Sequence, residues 1–292
     1  MTLAPENLGV PASVGVLGGG RMGAGIAHSF LVAGSAVTVV ERDDVAAAAA
    51  WERVMAAVDK ALSVGSVTGP RSRFADRLTV ATDVSAFAGA GLVVEAVPED
   101  ENLKTAALLA VEAQLAADAW LASNTSSLSI TGLAQALTRP ERFIGLHFFN
   151  PVPVSTLIEV VTGEDTSREL ADLARGWVAA LGKTPIMVRD APGFASSRLG
   201  VAIALEAIRM VEEGVASAED IDAAMVLGYK HPVGPLKTTD IVGLDVRLGI
   251  AEHLQQTLGD RFAPPKLLRD MVAQGNLGRK SGRGFYDWKD AS

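Results

Sequence analysis

Short apolar runs alternate with longer helical stretches from residue 14 to about residue 190. Residues 14–17, 36–40, 78–81, 92–96, 120–123, 143–149, 156–161 and 184–188 read as strands, and 23–33 as a helix. The Ala-rich run at 46–50 reads as helix, because Ala has the best helix propensity. Strands alternating with helices predict an α/β fold with a mainly parallel sheet covered on both faces. After Asp190-Ala191-Pro192-Gly193 the pattern changes, and residues 194–275 carry almost only helical signals. Ser217-Ala218-Glu219-Asp220 has the form of a helix start, with a capping hydroxyl and acids in the first turn. The expected division is residues 1–190 as an α/β domain and 191–292 as an all-helical one.

Composition narrows the function classes. Hydrophobic residues make up 49% of the 292, too many for general disorder. The formal charge of -8 argues against a nucleic-acid protein. With no cysteine, disulfides, thiolate metal sites and cysteine nucleophiles are excluded, and no metal is expected. No apolar run approaches the roughly 18 residues of a membrane span. Residues 1–11 lack the features of a secretory or transit signal, so the expected location is the cytoplasm.

Gly18-Gly19-Gly20-Arg21-Met22-Gly23 fits G-x-G-x-x-G between an apolar strand and a helix, the context that a dinucleotide site requires. Gly18 allows a tight turn, Gly20 lets the backbone approach a pyrophosphate, and Gly23 lets helix and strand pack closely. Free N–H groups at the helix start suit phosphate. Glu41 ends the next strand, where an acid holds the ribose hydroxyls of NAD and repels the extra phosphate of NADP. Its neighbour Arg42 offers the opposite reading.

Removing hydride from an alcohol carbon needs a base that titrates near neutral pH, which favours histidine. There are four: His28, His147, His231 and His253. His28 reads as packing or surface, His231 as part of a turn before Pro232, and His253 as exposed. His147 ends a strand, and strand carboxyl ends open onto the ligand crevice in such sheets. Glu159 lies in the apolar run Leu157-Ile-Glu-Val-Val161, where a carboxylate is costly unless paired. His147 and Glu159 are equally spaced about Pro153, so a chain reversal there brings them together across two antiparallel strands. The alternative for Glu159 is an edge-strand charge facing water. Ser123-Asn-Thr-Ser-Ser127 offers hydroxyls for a substrate oxygen, or equally a polar turn capping a helix at Ile130.

At these residues the sequence resembles the short-chain 3-hydroxyacyl-CoA dehydrogenases. The likeness runs from Val14 to Trp288. It rests on the glycine loop, Val-Val-Glu-Ala-Val-Pro-Glu-Asp at 93–100, Ser-Asn-Thr-Ser-Ser at 123–127 and His-Phe-Phe-Asn-Pro-Val-Pro-Val at 147–154. Asp-Ala-Pro-Gly-Phe at 190–194, His-Pro-Val-Gly-Pro at 231–235 and Gly-Arg-Lys-Ser-Gly-Arg-Gly-Phe-Tyr at 278–286 add to it. The resemblance implies a Rossmann-like first domain, NAD as cofactor, an acyl-CoA substrate, and a helical second domain that forms a homodimer. It implies His147 as base with Glu159 as partner, Ser126 on the substrate oxygen and Asn150 in the active site. Glu99, Lys104 and Lys280 match cofactor contacts, with Ser126 and Asn150 bordering the same site. By composition alone Glu99, Lys104 and Lys280 read as ordinary surface charges.

Three departures stand out. Ser197 occupies the place of a family asparagine, which widens the pocket or leaves room for water. Ala57 and Val64 replace a CoA-contacting serine and lysine, so Arg71, Arg73 and Arg77 become candidates for the CoA phosphates. Ser155-Thr156 stands where relatives often have Lys or Met. The lost contacts keep open a dehydrogenase of the same fold acting on a CoA-free hydroxy acid or sugar acid. A nucleotide-binding protein without turnover is the other alternative.

Overall fold

The apolar runs become one eight-stranded sheet: β1 Ser13–Leu17, β2 Ala36–Val40, β3 Leu78–Ala81, β4 Leu92–Glu95, β5 Trp120–Ser123, β6 Phe143–Phe148, β7 Leu157–Thr162 and β8 Thr184–Arg189. The computed structural model describes residues 9–289, so the expectation about a secretory or transit signal in residues 1–11 falls mostly outside the described residues. Strand order is β3-β2-β1-β4-β5-β6-β7-β8. Every neighbouring pair is parallel except β6 and β7, which run antiparallel. Strands covered on both faces can be apolar throughout, and the central ones are: all four residues of β4 and all six of β6 are buried.

The helices around the sheet are α1 Arg21–Ala33, α2 Asp44–Ser63, α3 Ser72–Ala75, α4 Glu101–Glu112, α5 Ile130–Ala134 and α6 Arg168–Ala180. The chain leaves β1 toward β2 and β3, then returns to β4 on the other side of β1. That reversal opens a crevice at the carboxyl ends of β1 and β4, where ligands bind in such sheets. Leu17 and Glu95 pair at those ends.

Backbone contacts separate the residues up to Ala191 from those beginning at Pro192. The second unit holds α7 Ser196–Glu212, α8 Ala218–Ala223, α9 Pro235–Val242, α10 Leu244–Leu258 and α11 Lys266–Ala273 around its own core of Val201, Leu205, Ile208, Leu236, Leu244 and Leu254. Ser217 caps α8 by accepting the Asp220 N–H at 3.1 Å. Two buried acids tie the C-terminal segment down. Asp240 accepts from the backbone of Phe285 and Tyr286 and from Trp288 Nε1, and Asp222 accepts from the Tyr286 hydroxyl.

Candidate active site

The glycine loop joins β1 to α1. Gly18 has φ +90°, a conformation that L side chains rarely adopt. A Cβ on Gly23 would sit 1.7 Å from the Gly18 carbonyl oxygen, so only glycine lets α1 start this close to the strand. A Cβ on Gly20 would meet nothing within 4 Å, which leaves open space above the loop. The other long helices of this unit carry side-chain caps: Asp43 on α2, Asp100 on α4 and Ser167 on α6. Helix α1 begins at Gly20 with no capping side chain and no acid in its first turn. Its N–H groups and dipole therefore favour a bound anion.

Glu41, at the end of β2, accepts the Gly19 N–H at 2.7 Å and lines the same cleft. Arg42 borders the same cleft and pairs with the exposed Asp43 at 3.1 Å. A cleft of about 980 Å³ runs from this loop across the carboxyl ends of the strands. Gly18, Gly20, Arg21, Met22, Glu41, Glu99, Ser126, His147 and Asn150 border it, together with Leu103 and Asn124. These are residues of the first unit. The cradle above Gly20, the uncapped helix and the Glu41 carboxylate fit a dinucleotide with a free ribose diol.

His147 and Glu159 face each other in register across β6 and β7. The imidazole Nδ1 lies 2.6 Å from Glu159 Oε2, with Glu159 fully buried and His147 nearly so. The chain reversal about Pro153 is what joins them, and the reading of Glu159 as a water-facing edge charge is set aside. The Phe149 ring lies 4.4 Å from the imidazole, centroid to centroid, tilted by 42°. A carboxylate on Nδ1 fixes the ring and supports positive charge on it, leaving Nε2 as the nitrogen for proton exchange.

The 125–127 loop does not cap the helix at Ile130, and its Ser126 borders the cleft. The cap of α5 is Ser129, which accepts the Gly132 N–H, because an N-cap must directly precede its helix. The hydroxyls before it gather on Glu99: Oε1 accepts from Thr125 Oγ1 at 2.7 Å, Ser126 N at 2.7 Å, Ser126 Oγ at 3.1 Å, and Ser127 N and Oγ at 3.0 Å. Burial opposes ionisation of Glu99, but Lys104 and these donors outweigh it and hold the carboxyl below its ordinary range.

Lys104 is not a surface charge. It is almost completely buried, 2.7 Å from Glu95 Oε1, 3.0 Å from the Val97 carbonyl and 3.4 Å from Glu99 Oε2. Glu95 and Asn124 were missed as individual residues, although both lie in quoted motifs. Asn124 Oδ1 accepts the Phe148 N–H at 2.9 Å, tying the ends of β5 and β6 together beside the cleft. The signal for Glu95 was an acid closing a wholly apolar strand, the same signal that picked out Glu159.

Lys280 lies in the second unit, 2.6 Å from Asp245, and Ser197 is half-buried in the first turn of α7. His28 is buried in α1 with neither ring nitrogen hydrogen-bonded. His253 is half-buried rather than exposed, since its neighbours Ala251 and Leu254 face the core. Ala57 is half-buried and Val64 exposed at the end of α2. Among the candidate phosphate residues, Arg71 pairs with Asp59 at 2.8 Å and Arg77 donates to the Arg73 carbonyl, so two of the three are engaged locally.

Among the described residues no group of His, Cys, Asp and Glu is placed to hold a metal. No helix there is long and apolar enough to cross a membrane.

Residues 13–191 match the model of the 3-hydroxyacyl-CoA dehydrogenase NAD binding domain, and 193–288 that of the 3-hydroxyacyl-CoA dehydrogenase C-terminal domain. The chain is 42% identical over 279 residues to the probable 3-hydroxybutyryl-CoA dehydrogenase of Deinococcus radiodurans, covering 94% of this chain and 99% of that protein. It is also 42% identical over 279 residues to the 3-hydroxybutyryl-CoA dehydrogenase of Mycobacterium tuberculosis, covering 94% and 98%. The crystal structure of (S)-3-hydroxybutyryl-CoA dehydrogenase from Ralstonia eutropha superposes with a TM-score of 0.92 at 38% identity, over 95% of this chain and 99% of that one.

Proposed function

The chain belongs to the 3-hydroxyacyl-CoA dehydrogenase family, and we propose that it transfers hydride between NAD and C3 of a short 3-hydroxyacyl-CoA. The observation that carries this reading is the His147–Glu159 pair, 2.6 Å apart, with His147 in the wall of the cleft that the glycine loop also borders. The loop from Gly18 to Gly23 and Glu41 hold the cofactor. NAD, when bound, supplies the hydride acceptor.

His147 Nε2 takes the proton from the substrate hydroxyl as C3 gives up its hydride. Glu159, held at Nδ1, stabilises the imidazolium that forms. Ser126 and Asn150 border the same cleft and bind the substrate oxygen and its surroundings. Ketone reduction runs these steps in reverse, with His147 returning the proton.

The names of the relatives favour a 3-hydroxybutyryl group. A panel of 3-hydroxyacyl-CoA thioesters from short to long chain, scored by NADH formation, tests the reading. Turnover greatest with 3-hydroxybutyryl-CoA is the expected result. Reduction of NAD by CoA-free hydroxy acids alone would replace it with the sugar-acid alternative, and binding without turnover would make the protein a nucleotide binder.

The second unit is assigned to substrate binding and to a homodimer. Its helices α7, α9 and α10 leave Leu199, Ile203, Ile241, Val242 and Val246 exposed, more large apolar side chain than a solvent-facing surface needs. A solution mass of twice 30.3 kDa checks this. The cytoplasm is the compartment assigned, to be checked by fractionation.

A further inference from the structure

The reaction just described uses Ser126 and has no task for the ion pair buried behind it. Glu95 closes β4 and is completely buried, as is Lys104 on α4. Glu95 Oε1 accepts from Lys104 Nζ at 2.7 Å and from the Val97 N–H at 2.7 Å, and Oε2 accepts from Ser123 Oγ at 2.5 Å. An ammonium has three donors. Lys104 donates to Glu95 and to the Val97 carbonyl, and Glu99 Oε2 is its ion-pair partner at 3.4 Å. Lys104 is buried and does not border the cleft, whereas Glu99 does, so its influence on the cleft passes through Glu99.

The Glu99 carboxylate is divided. Oε2 faces Lys104, and Oε1 collects five donors from the 125–127 loop. One oxygen cannot serve five donors at full strength, since it has two lone pairs. The longest of the five contacts is that of the Ser126 hydroxyl, at 3.1 Å. That hydroxyl is the most readily given up to another acceptor, while the Ser126 N–H at 2.7 Å keeps the residue in place.

We infer that Glu95 and Lys104 are positioning residues for this reaction: Glu95 pins Lys104, Lys104 holds Glu99, and Glu99 keeps the Ser126 hydroxyl poised to turn onto the substrate oxygen. The inference rests on the dehydrogenase reading for its effect on turnover. Its effect on NAD binding does not, because Glu99 borders the cofactor cleft whatever the substrate is.

The alternative is that the pair merely neutralises itself inside the fold. Removing both charges of a buried ion pair harms stability far less than removing one, so the two ideas separate. The experiment compares Glu95→Gln with the Glu95→Gln/Lys104→Gln double variant, in full-length protein. Melting temperature, NAD affinity by calorimetry without substrate, and kcat and KM with 3-hydroxybutyryl-CoA are measured. The single variant leaves a buried ammonium without its counter-charge, and the double variant removes that fault. If Glu95 and Lys104 position Glu99, the double variant regains the wild-type melting temperature yet stays about tenfold down in kcat and NAD affinity, a loss typical of coupled polar networks. Recovery of both kcat and NAD affinity in the double variant overturns the inference. Should the single variant fail to fold, the double variant alone decides between these outcomes. Wild-type protein that binds NAD but turns over no thioester would defeat the dehydrogenase reading, and the affinity comparison would still decide the role of Glu95.

Discussion

Two carboxylates are completely buried in strands of the same sheet, Glu159 in β7 and Glu95 in β4, and each sits 2.6–2.7 Å from a basic side chain. Glu159 holds one nitrogen of an imidazole whose ordinary pKa lies near neutrality, so that ring is suited to exchange a proton at its other nitrogen. Glu95 holds a buried ammonium that also bonds the Val97 carbonyl and pairs with Glu99. Similar burial and similar distances therefore give a reactive group in one place and a fixed scaffold in the other. What separates them is the partner's chemistry: an imidazole with a second nitrogen, on a residue that borders the cleft, against a point charge buried away from it.

The sharpest way to break this comparison is to remove the reactive member. His147→Gln keeps a polar side chain but cannot take up the proton, and kcat falls by roughly 10²–10⁴-fold, the usual contribution of a positioned general base. NAD affinity stays within about twofold, since the glycine loop is untouched. Glu159→Gln keeps a hydrogen-bond partner at Nδ1 while removing the charge that supports the imidazolium. It costs about a hundredfold in kcat, because the wrong tautomer is then favoured. Steady-state kinetics with parallel calorimetry measure both. Losses under threefold in both variants would leave His147 as a packing residue.

The sequence carried more of this site than its own reading extracted. The central strands were legible because a buried strand is a bare apolar run, and Leu92–Glu95 is as plain as any. The His147–Glu159 pair was legible because an acid in such a run demands a partner and the spacing about Pro153 supplied one. Lys104 was not, because without the resemblance it read as an ordinary surface charge. Yet Lys104, Leu108 and Val111 stand at helical spacing and share the buried face of α4. A charge on an apolar stripe is the helical counterpart of Glu159. Convergence of five donors on Glu99 had no linear signal, since it depends on how β4, α4 and the end of β5 meet.

Glu41 sharpens the comparison from a third position. It is half-buried at the end of β2 and binds the backbone N–H of Gly19, not a charged side chain. Its carboxylate, bonded to the backbone N–H groups of Gly19 and Arg42, borders the cleft. NAD is used in strong preference to NADP, and Glu41→Ala narrows the ratio of the two kcat/KM values by roughly tenfold as the like-charge repulsion is lost. KM for NAD also rises, because the Gly19 N–H loses its acceptor. An unchanged ratio would hand cofactor discrimination to Arg42.

The smallest expected effect comes from the buried histidine that has no carboxylate. His28 lies in α1 with both ring nitrogens unmatched, where His147 has Glu159. Burial lowers its pKa below the ordinary 6.5, and the charge of Lys183 lowers it further. The folded state thus binds this proton less readily than the unfolded chain does. Above the ordinary value both states are neutral and His28 contributes no slope. As the pH falls below it, the unfolded chain gains a proton that the folded protein resists, so stability declines until the folded-state pKa is passed. His28→Leu removes that linkage along with two unsatisfied buried nitrogens. Its melting temperature, followed from neutral to mildly acidic pH, falls less than that of the wild type, by roughly 2 °C over the window. Catalysis at neutral pH is unchanged, since His28 is neutral there and does not border the cleft. Parallel melting curves for the two proteins would mean that His28 titrates alike folded and unfolded, and that burial without a partner leaves no mark on its proton.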